Sequence, residues 1–401
     1  MIRKEEKYLE MLRGFLAIFV SIEHFIFTIP ISSTKTLGEI IAYRIPSHQM
    51  VLVFFILSGY VIGLTNERNQ PFSLKTYFFK RFIRLYPIYF VCLILAFIVH
   101  QESIKVFIST LFFQQALWTA PPIGNSPMWS LNHEVFYYTL FAIICFLKLN
   151  PWIVIFLSLM MGFLPLFSPV YVPFYIYSYG IGFFFWLSGL LLAWYTEKEN
   201  KVISTQMVIS WFLLFLSVRA LNPFKTIGQL NTPFFDHLHQ YFGAGGMLNV
   251  FELFYFPICF VTVIFFSNAK FRFSKLLFVA TYISYILYSG YIIFQIKTLD
   301  TYFFPAVVCV FLSIIILVIP LHSRIEEWFT FLGKTSYGLY LCHVPVMFVL
   351  NFIWPKGFIN IYMSVLYLLS YVGLSIWVGY LLEIKFQPIV ANYLKKKWLT
   401  N

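Results

Sequence analysis

Charge is scarce in this chain: Asp, Glu, Lys and Arg make up 11% of its 401 residues, against about 25% in an ordinary soluble domain. That shortage excludes water as the solvent for most of its surface. Cysteine is scarce too. Cys92, Cys145, Cys259, Cys309 and Cys342 all fall inside apolar blocks without metal-ligand spacing, so they read as small buried hydrophobes and exclude a disulfide or zinc framework. Internal repeats, low-complexity tracts and a separate soluble domain are missing, and residues 1–401 read as a single membrane-embedded domain. The N-terminal stretch MIRKEEKYLEMLRGFLAIFVSIEHF has no small-residue cleavage site, which predicts that the first apolar block stays attached as a span.

What the chain has in excess is apolar surface. Sixty per cent of the residues are hydrophobic and 22% aromatic, with 50 Phe and 27 Tyr. Interfacial anchoring and helix packing account for part of that aromatic content. The apolar residues come in blocks of roughly 18 to 22, the length a helix needs to cross about 30 Å of hydrocarbon. The expected fold class is all-α, a polytopic transmembrane helical bundle of about 10 to 12 spans. Twelve candidate spans are residues 8–29, 47–65, 84–100, 133–149, 151–167, 174–196, 203–220, 247–267, 276–296, 301–320, 336–354 and 360–384.

With the N-terminus in the cytosol, 20 of the 28 Lys and Arg fall in inner loops and 7 in outer loops, Arg13 lying within the first span. That bias predicts a multi-pass protein of the inner or plasma membrane with both termini cytoplasmic. The net charge of +12 has the same origin, since the basic residues occupy short loops between apolar blocks. A nucleic-acid partner is therefore excluded, and the lipid bilayer is the expected one. The two longest outer segments, near 101–132 and 221–246, are rich in Pro, Gly, Asn and His and are expected to fold over the outer face as a lid or substrate platform.

Several ionisable residues sit where lipid penalises them by at least about 2.5 to 3.5 kcal/mol each. Arg13 and His24 lie in the first span with Glu23. Eleven residues of helix separate Arg13 from His24 by about 16 Å and bring them nearly into register, a cation toward the inner side and an imidazole toward the outer. Snorkelling to the headgroups is the competing role for Arg13, and hydrogen-bonded packing at the interface is the competing role for His24. Imidazole remains the side chain best suited to take a proton from a hydroxyl near neutral pH.

In KRFIRLYPIYF, Arg81 and Arg84 share a helix face at the cytosolic end of the third span, a spacing that suits bidentate phosphate binding or a topology signal. SPMWSLNHEVFYY puts Glu134 at the outer end of the fourth span, with His133 pointing away from it. FFILSGYVIG offers Ser58, Gly59 and Gly63, a small-residue pattern that favours close helix packing over chemistry. TSYGLYLCHVPV carries Tyr337, Tyr340 and His343 into the eleventh span, where lining a site and bonding helix to helix are both open. His237 and His239 in the long outer loop make a poor metal site on their own, and no metal is expected.

Together, LRGFLAIFVSIEHF, FFILSGYVI, RFIRLYP, WSLNHEVFYY and SYGLYLCHVPV, in that order, resemble the acyltransferase-3 family of multi-pass membrane acyltransferases. The Arg, ten residues, His pattern of that family's first span is matched by Arg13 and His24. The resemblance implies acetyl-CoA or another acyl-CoA as donor substrate and no permanently bound cofactor. It implies Arg13, Arg81 and Arg84 near the CoA phosphates, His24 as the catalytic residue and Glu134 as its support. The WSLN-x-E form looks most like members that O-acetylate exopolysaccharide, O-antigen or other envelope glycans, so a glycan or lipid-linked saccharide is the implied acceptor. Many relatives carry a fused extracytoplasmic esterase-like domain that this sequence lacks. It is expected either to finish the transfer itself, alone or as a homo-oligomer, or to hand the acyl group to a separate extracytoplasmic transferase. The competing reading is a secondary transporter or flippase for a sugar or lipid-linked substrate, which predicts the internal repeats missing here.

Overall fold

In the computed structural model the described residues are 4–28, 45–66, 71–167, 172–199, 202–224, 248–295, 303–354 and 361–399. The described residues are 83% helical with almost no sheet. The first seven α-helices are α1 (Lys4–Thr28), α2 (Ser47–Thr65), α3 (Leu74–His100), α4 (Ile104–Leu111), α5 (Trp129–Phe146), α6 (Pro151–Phe167) and α7 (Phe174–Tyr195). They are followed by α8 (Thr205–Leu216), α9 (Phe256–Ser267), α10 (Ser274–Gln295), α11 (Phe304–Ile316), α12 (Arg324–Lys334), α13 (Ser336–Ile353), α14 (Ile361–Tyr380) and α15 (Gln387–Leu399). A π-helical turn, Leu381–Phe386, joins α14 to α15 without a break.

Eight helical stretches among the described residues are long and apolar enough to cross a membrane, and α6, α8 and α11 are shorter apolar helices. The first helix, which carries Lys7, Glu10, Arg13 and Glu23 along its length, is not among those eight. Each of the twelve expected segments contains a described helix, and eight meet the length and composition for a span. His237, His239 and most of the expected outer segment 221–246 lie outside the described residues.

The chain forms two compact units. One gathers residues 1–42, 71–142 and 326–401, and the other residues 43–70 and 143–325.

In the second unit the most buried span is α7, which packs against α2. They approach at backbone distance because Gly59 and Gly189 leave no side chain between them. A Cβ on Gly59 would overlap the Trp186 carbonyl, and one on Gly189 would overlap that of Ile56. Lipid tails are as apolar as leucine, so close approach of small residues is what holds such a pair together. Ser58 adds a hydrogen bond from Trp186 Nε1 at 3.3 Å. The expected packing role of FFILSGYVIG is the observed one. Gly59→Leu should lower the thermal midpoint of the detergent-solubilised protein by several degrees, since overpacking of this kind costs about 1 to 3 kcal/mol or more. An unchanged midpoint would mean that the two helices separate at no cost. A two-residue antiparallel ladder, Glu197–Lys198 with Ala269–Lys270, closes the loops after α7 and α9.

The first unit is built differently. Between α3 and α5 the chain turns through α4, left-handed Phe113 and Ala116, and a 3-10 turn over Ile123–Met128. Buried amides fix this irregular stretch. Gln115 Nε2 donates to the Tyr89 hydroxyl at 3.2 Å and to the Met128 carbonyl at 2.9 Å. Asn125 Nδ2 donates to the Leu341 carbonyl at 2.7 Å, and Asn132 Nδ2 to that of Phe113. Non-helical backbone in an apolar protein needs such partners because lipid supplies none. The segment expected as an outer lid or substrate platform is thus held by these bonds.

Candidate functional site

All five site residues expected from the sequence, Arg13, His24, Arg81, Arg84 and Glu134, belong to the first unit. They fall into a basic group, an imidazole pair and a carboxylate that adjoins tyrosines of both α5 and α13.

The basic group starts on α1. Arg13 Nη1 pairs with Glu10 Oε1 at 2.6 Å, one turn back on the same helix. One turn below that, Lys7 pairs with Glu326 of α12 at 2.5 Å. Gly14 and Gly333 bring α1 and α12 into backbone contact, since a Cβ on either would strike a carbonyl of the other helix. Glu10 also lies within electrostatic reach of Arg84 on α3.

Arg84 has a nearer partner. Its Nη2 meets Glu383 Oε1 at 2.8 Å, and its guanidinium lies 5.8 Å from the centre of the Tyr337 ring. The second oxygen of Glu383 accepts from Tyr337 N and Gly338 N, both at 3.0 Å. These are orphan N–H groups at the start of α13, so Glu383 caps that helix while it holds Arg84. Arg84 keeps 47% of its side-chain surface exposed, whereas Glu383 keeps 4%.

Arg81, one turn earlier on α3, faces other partners: the rings of Tyr77 at 5.7 Å and Tyr138 at 5.8 Å. The Tyr138 hydroxyl donates to Glu134 Oε1, one turn away on α5. Tyr138 therefore connects Arg81 to Glu134. The Glu134 carboxylate lies within electrostatic reach of the Tyr337 and Tyr340 hydroxyls of α13. His133 is fully buried and bonds back to the Trp129 carbonyl at 3.1 Å, a packing role in keeping with its incidental place in the motif.

The imidazole pair is His24 and His343. Their ring centroids are 5.1 Å apart and the planes are tilted by 53°. His24 Nδ1 lies 2.9 Å from the Val20 carbonyl. A carbonyl only accepts, so the proton sits on Nδ1 and the lone pair of the neutral ring on Nε2. Glu23, at 4.0 Å from the same nitrogen, lies beyond hydrogen-bond range. Tyr337 and Tyr340 take the helix-to-helix role that the sequence left open: Tyr337 donates to the Leu85 carbonyl at 2.9 Å, and Tyr340 shares a hydrogen bond with Ser130 at 2.8 Å.

Helices α1 and α13 thus each carry a polar start and an imidazole further along. Arg13 and His24 are about 16 Å apart on the rise of α1. Sequence reasoning missed Glu10, Tyr138 and Glu383. A lone carboxylate in the apolar stretch 365–398 was the available signal for Glu383, because an intramembrane charge is a candidate for function by default.

A family model described as an acyltransferase domain, of the acyltransferase-3 type, matches residues 6–267. The chain belongs to the acyltransferase-3 family. No curated protein and no solved structure matches it. The matched stretch of this acyltransferase-3 protein contains Arg13, His24, Arg81, Arg84 and Glu134, whereas Tyr337, His343 and Glu383 lie beyond it.

Proposed function

We propose that this acyltransferase-3 protein moves an acyl group, acetyl in the first instance, from cytosolic acetyl-CoA to a hydroxyl of an exported or cell-envelope glycan. The observation that carries the reading is the arrangement of the first unit. Arg13 pairs with Glu10, whose charge also reaches Arg84, and an imidazole with its lone pair on Nε2 stands about 16 Å further along α1. An acyl-CoA has that division, with phosphates and thioester at opposite ends of a flexible arm.

In this reading α1 and the three shorter apolar helices also cross, which brings the count to the expected 10 to 12, and both termini face the cytoplasm across the inner or plasma membrane. Arg13, Arg81 and Arg84 neutralise the CoA phosphates at the cytosolic mouth. His24 Nε2 then takes the proton of the acceptor hydroxyl as its oxygen attacks the thioester carbon. The tetrahedral adduct collapses, the C–S bond breaks, and the same proton passes to the departing thiolate to give free CoA. Glu134 holds the acceptor. The alternative course, transient acylation of His24 itself, uses the same lone pair.

The direct test uses purified protein in nanodiscs with radiolabelled acetyl-CoA. The expected result is release of CoA and label in an ester of an added envelope-glycan fraction. Binding of a sugar without any turnover of acetyl-CoA would overturn the reading in favour of a carrier. Deletion of the gene should remove an ester-linked acetyl group from one envelope polymer, read by mass spectrometry. Glu134→Gln separates charge from shape: kcat/KM should fall about 10- to 100-fold, the loss of one charge-assisted hydrogen bond. Full activity in that variant would leave Glu134 a structural partner of Tyr138.

A further inference from the structure

His343 has no exposed surface, and neither ring nitrogen has a hydrogen-bond partner of ordinary geometry. The carbonyls of Leu339 and Tyr340, one turn back on α13, lie nearby but outside that geometry. Its helical neighbours differ. The Tyr337 and Tyr340 hydroxyls are bonded to other helices, and Cys342 Sγ donates to the carbonyls of Leu339 and Ser375 at 3.8 and 3.5 Å. A buried polar group without a partner is costly, and a leucine would fill the position without that cost. The ring is also directional: it stands 5.1 Å from His24, which keeps 29% of its side-chain surface exposed. The accessible edge of the pair therefore belongs to His24, and the buried edge to His343.

We propose, on the acyl-transfer reading above, that His343 is a second catalytic imidazole, donating an N–H to the thioester carbonyl oxygen while His24 Nε2 acts on the attacking hydroxyl. Because His343 spends no N–H on a carbonyl, either tautomer is open to it and one N–H can face the reacting carbonyl. As the acceptor oxygen bonds to the carbonyl carbon, the carbonyl π electrons move onto oxygen, and His343 holds the resulting negative charge without giving up its proton. When the carbonyl re-forms the C–S bond breaks, the thiolate collects the proton from His24, and His343 ends as it began.

The experiment compares wild type, His24→Ala, His343→Leu and His343→Gln as full-length proteins in nanodiscs, by initial rates of acetyl transfer over a range of acetyl-CoA and by binding of CoA itself. His343→Leu should lower kcat about 10²- to 10³-fold, the loss seen when one oxyanion donor is removed. Its KM should stay at the wild-type value, and its CoA affinity and thermal midpoint at or above wild type. His343→Gln, which keeps an N–H donor, should recover at least about tenfold of that loss. Wild-type kcat in the leucine variant overturns the proposal, as does a loss of CoA binding in parallel with kcat. Should the leucine variant fail to insert, His343→Met replaces it, with the same outcomes deciding. An inactive wild type would sink the acyl-transfer reading itself, whereas an active wild type, a dead His24→Ala and an active His343→Leu would sink this inference alone.

Discussion

His24→Ala should lower acyl transfer by about two to four orders of magnitude, while expression, membrane insertion and CoA binding stay normal. The expectation rests on position as well as residue type. The Nδ1 proton of His24 is given to the Val20 carbonyl of its own helix, which orients the ring and leaves Nε2 to act. Alanine removes the acting nitrogen and the ring contact to His343, while Met11, Phe15 and Gly14 still pack α1 on its buried side. Radiolabelled acetyl transfer in proteoliposomes measures the effect. Acetylation retained in the alanine variant would remove His24 from the site. Rapid desalting of the wild type at neutral pH in the absence of acceptor separates the two chemical courses: label retained on the protein, and lost in His24→Ala, marks an acyl-imidazole, whereas no retained label marks a general base.

Much of the first unit was legible in the sequence because the cost of charge in an apolar segment acts locally. Arg13, His24, Arg81, Arg84 and Glu134 each stand out against an apolar background, and helical periodicity alone placed Arg13 and His24 on one face. The partners were not legible, because they come from elsewhere in the chain. Glu383 is 299 positions after Arg84, and no local pattern ties a carboxylate in the last apolar stretch to the start of α13. The i, i+3 spacing of Arg81 and Arg84 leaves a phosphate-binding pair and a topology signal both open. They share a helix face, yet one lies between tyrosine rings and the other is held by a carboxylate. The Pro, Gly and Asn content of 101–132 suggests a lid or substrate platform over the outer face. Composition does not reveal that Gln115 and Asn125 are fully buried and spend their amides on backbone carbonyls.

Glu383→Ala should be the most destabilising single change in the first unit, and comparison with the two arginines separates donor binding from scaffolding. The carboxylate accepts two backbone N–H groups at the start of α13 and one guanidinium N–H, with almost none of its side chain exposed. Removing it uncaps the helix and leaves Arg84 without its ion-pair partner, a loss on the order of 2 to 4 kcal/mol. Glu383→Gln keeps one carbonyl acceptor and should cost about half as much. Because α13 carries Tyr337, Tyr340 and His343, transfer should fall together with the thermal midpoint in Glu383→Ala. Arg81→Ala should behave differently. Its ring contacts are weak, about 0.5 to 2 kcal/mol, so the midpoint should change little while the KM for acetyl-CoA rises about tenfold, the worth of one charge-assisted contact to phosphate. Arg84→Ala combines both effects, raising KM and lowering the midpoint, because Glu383 stays buried with only its two backbone donors. Unchanged CoA affinity in both arginine variants would return Arg81 and Arg84 to the role of topology signals. A Glu383→Ala protein as stable as wild type would mean that the start of α13 is held by packing alone, chiefly the backbone contact between Gly338 and Gly379.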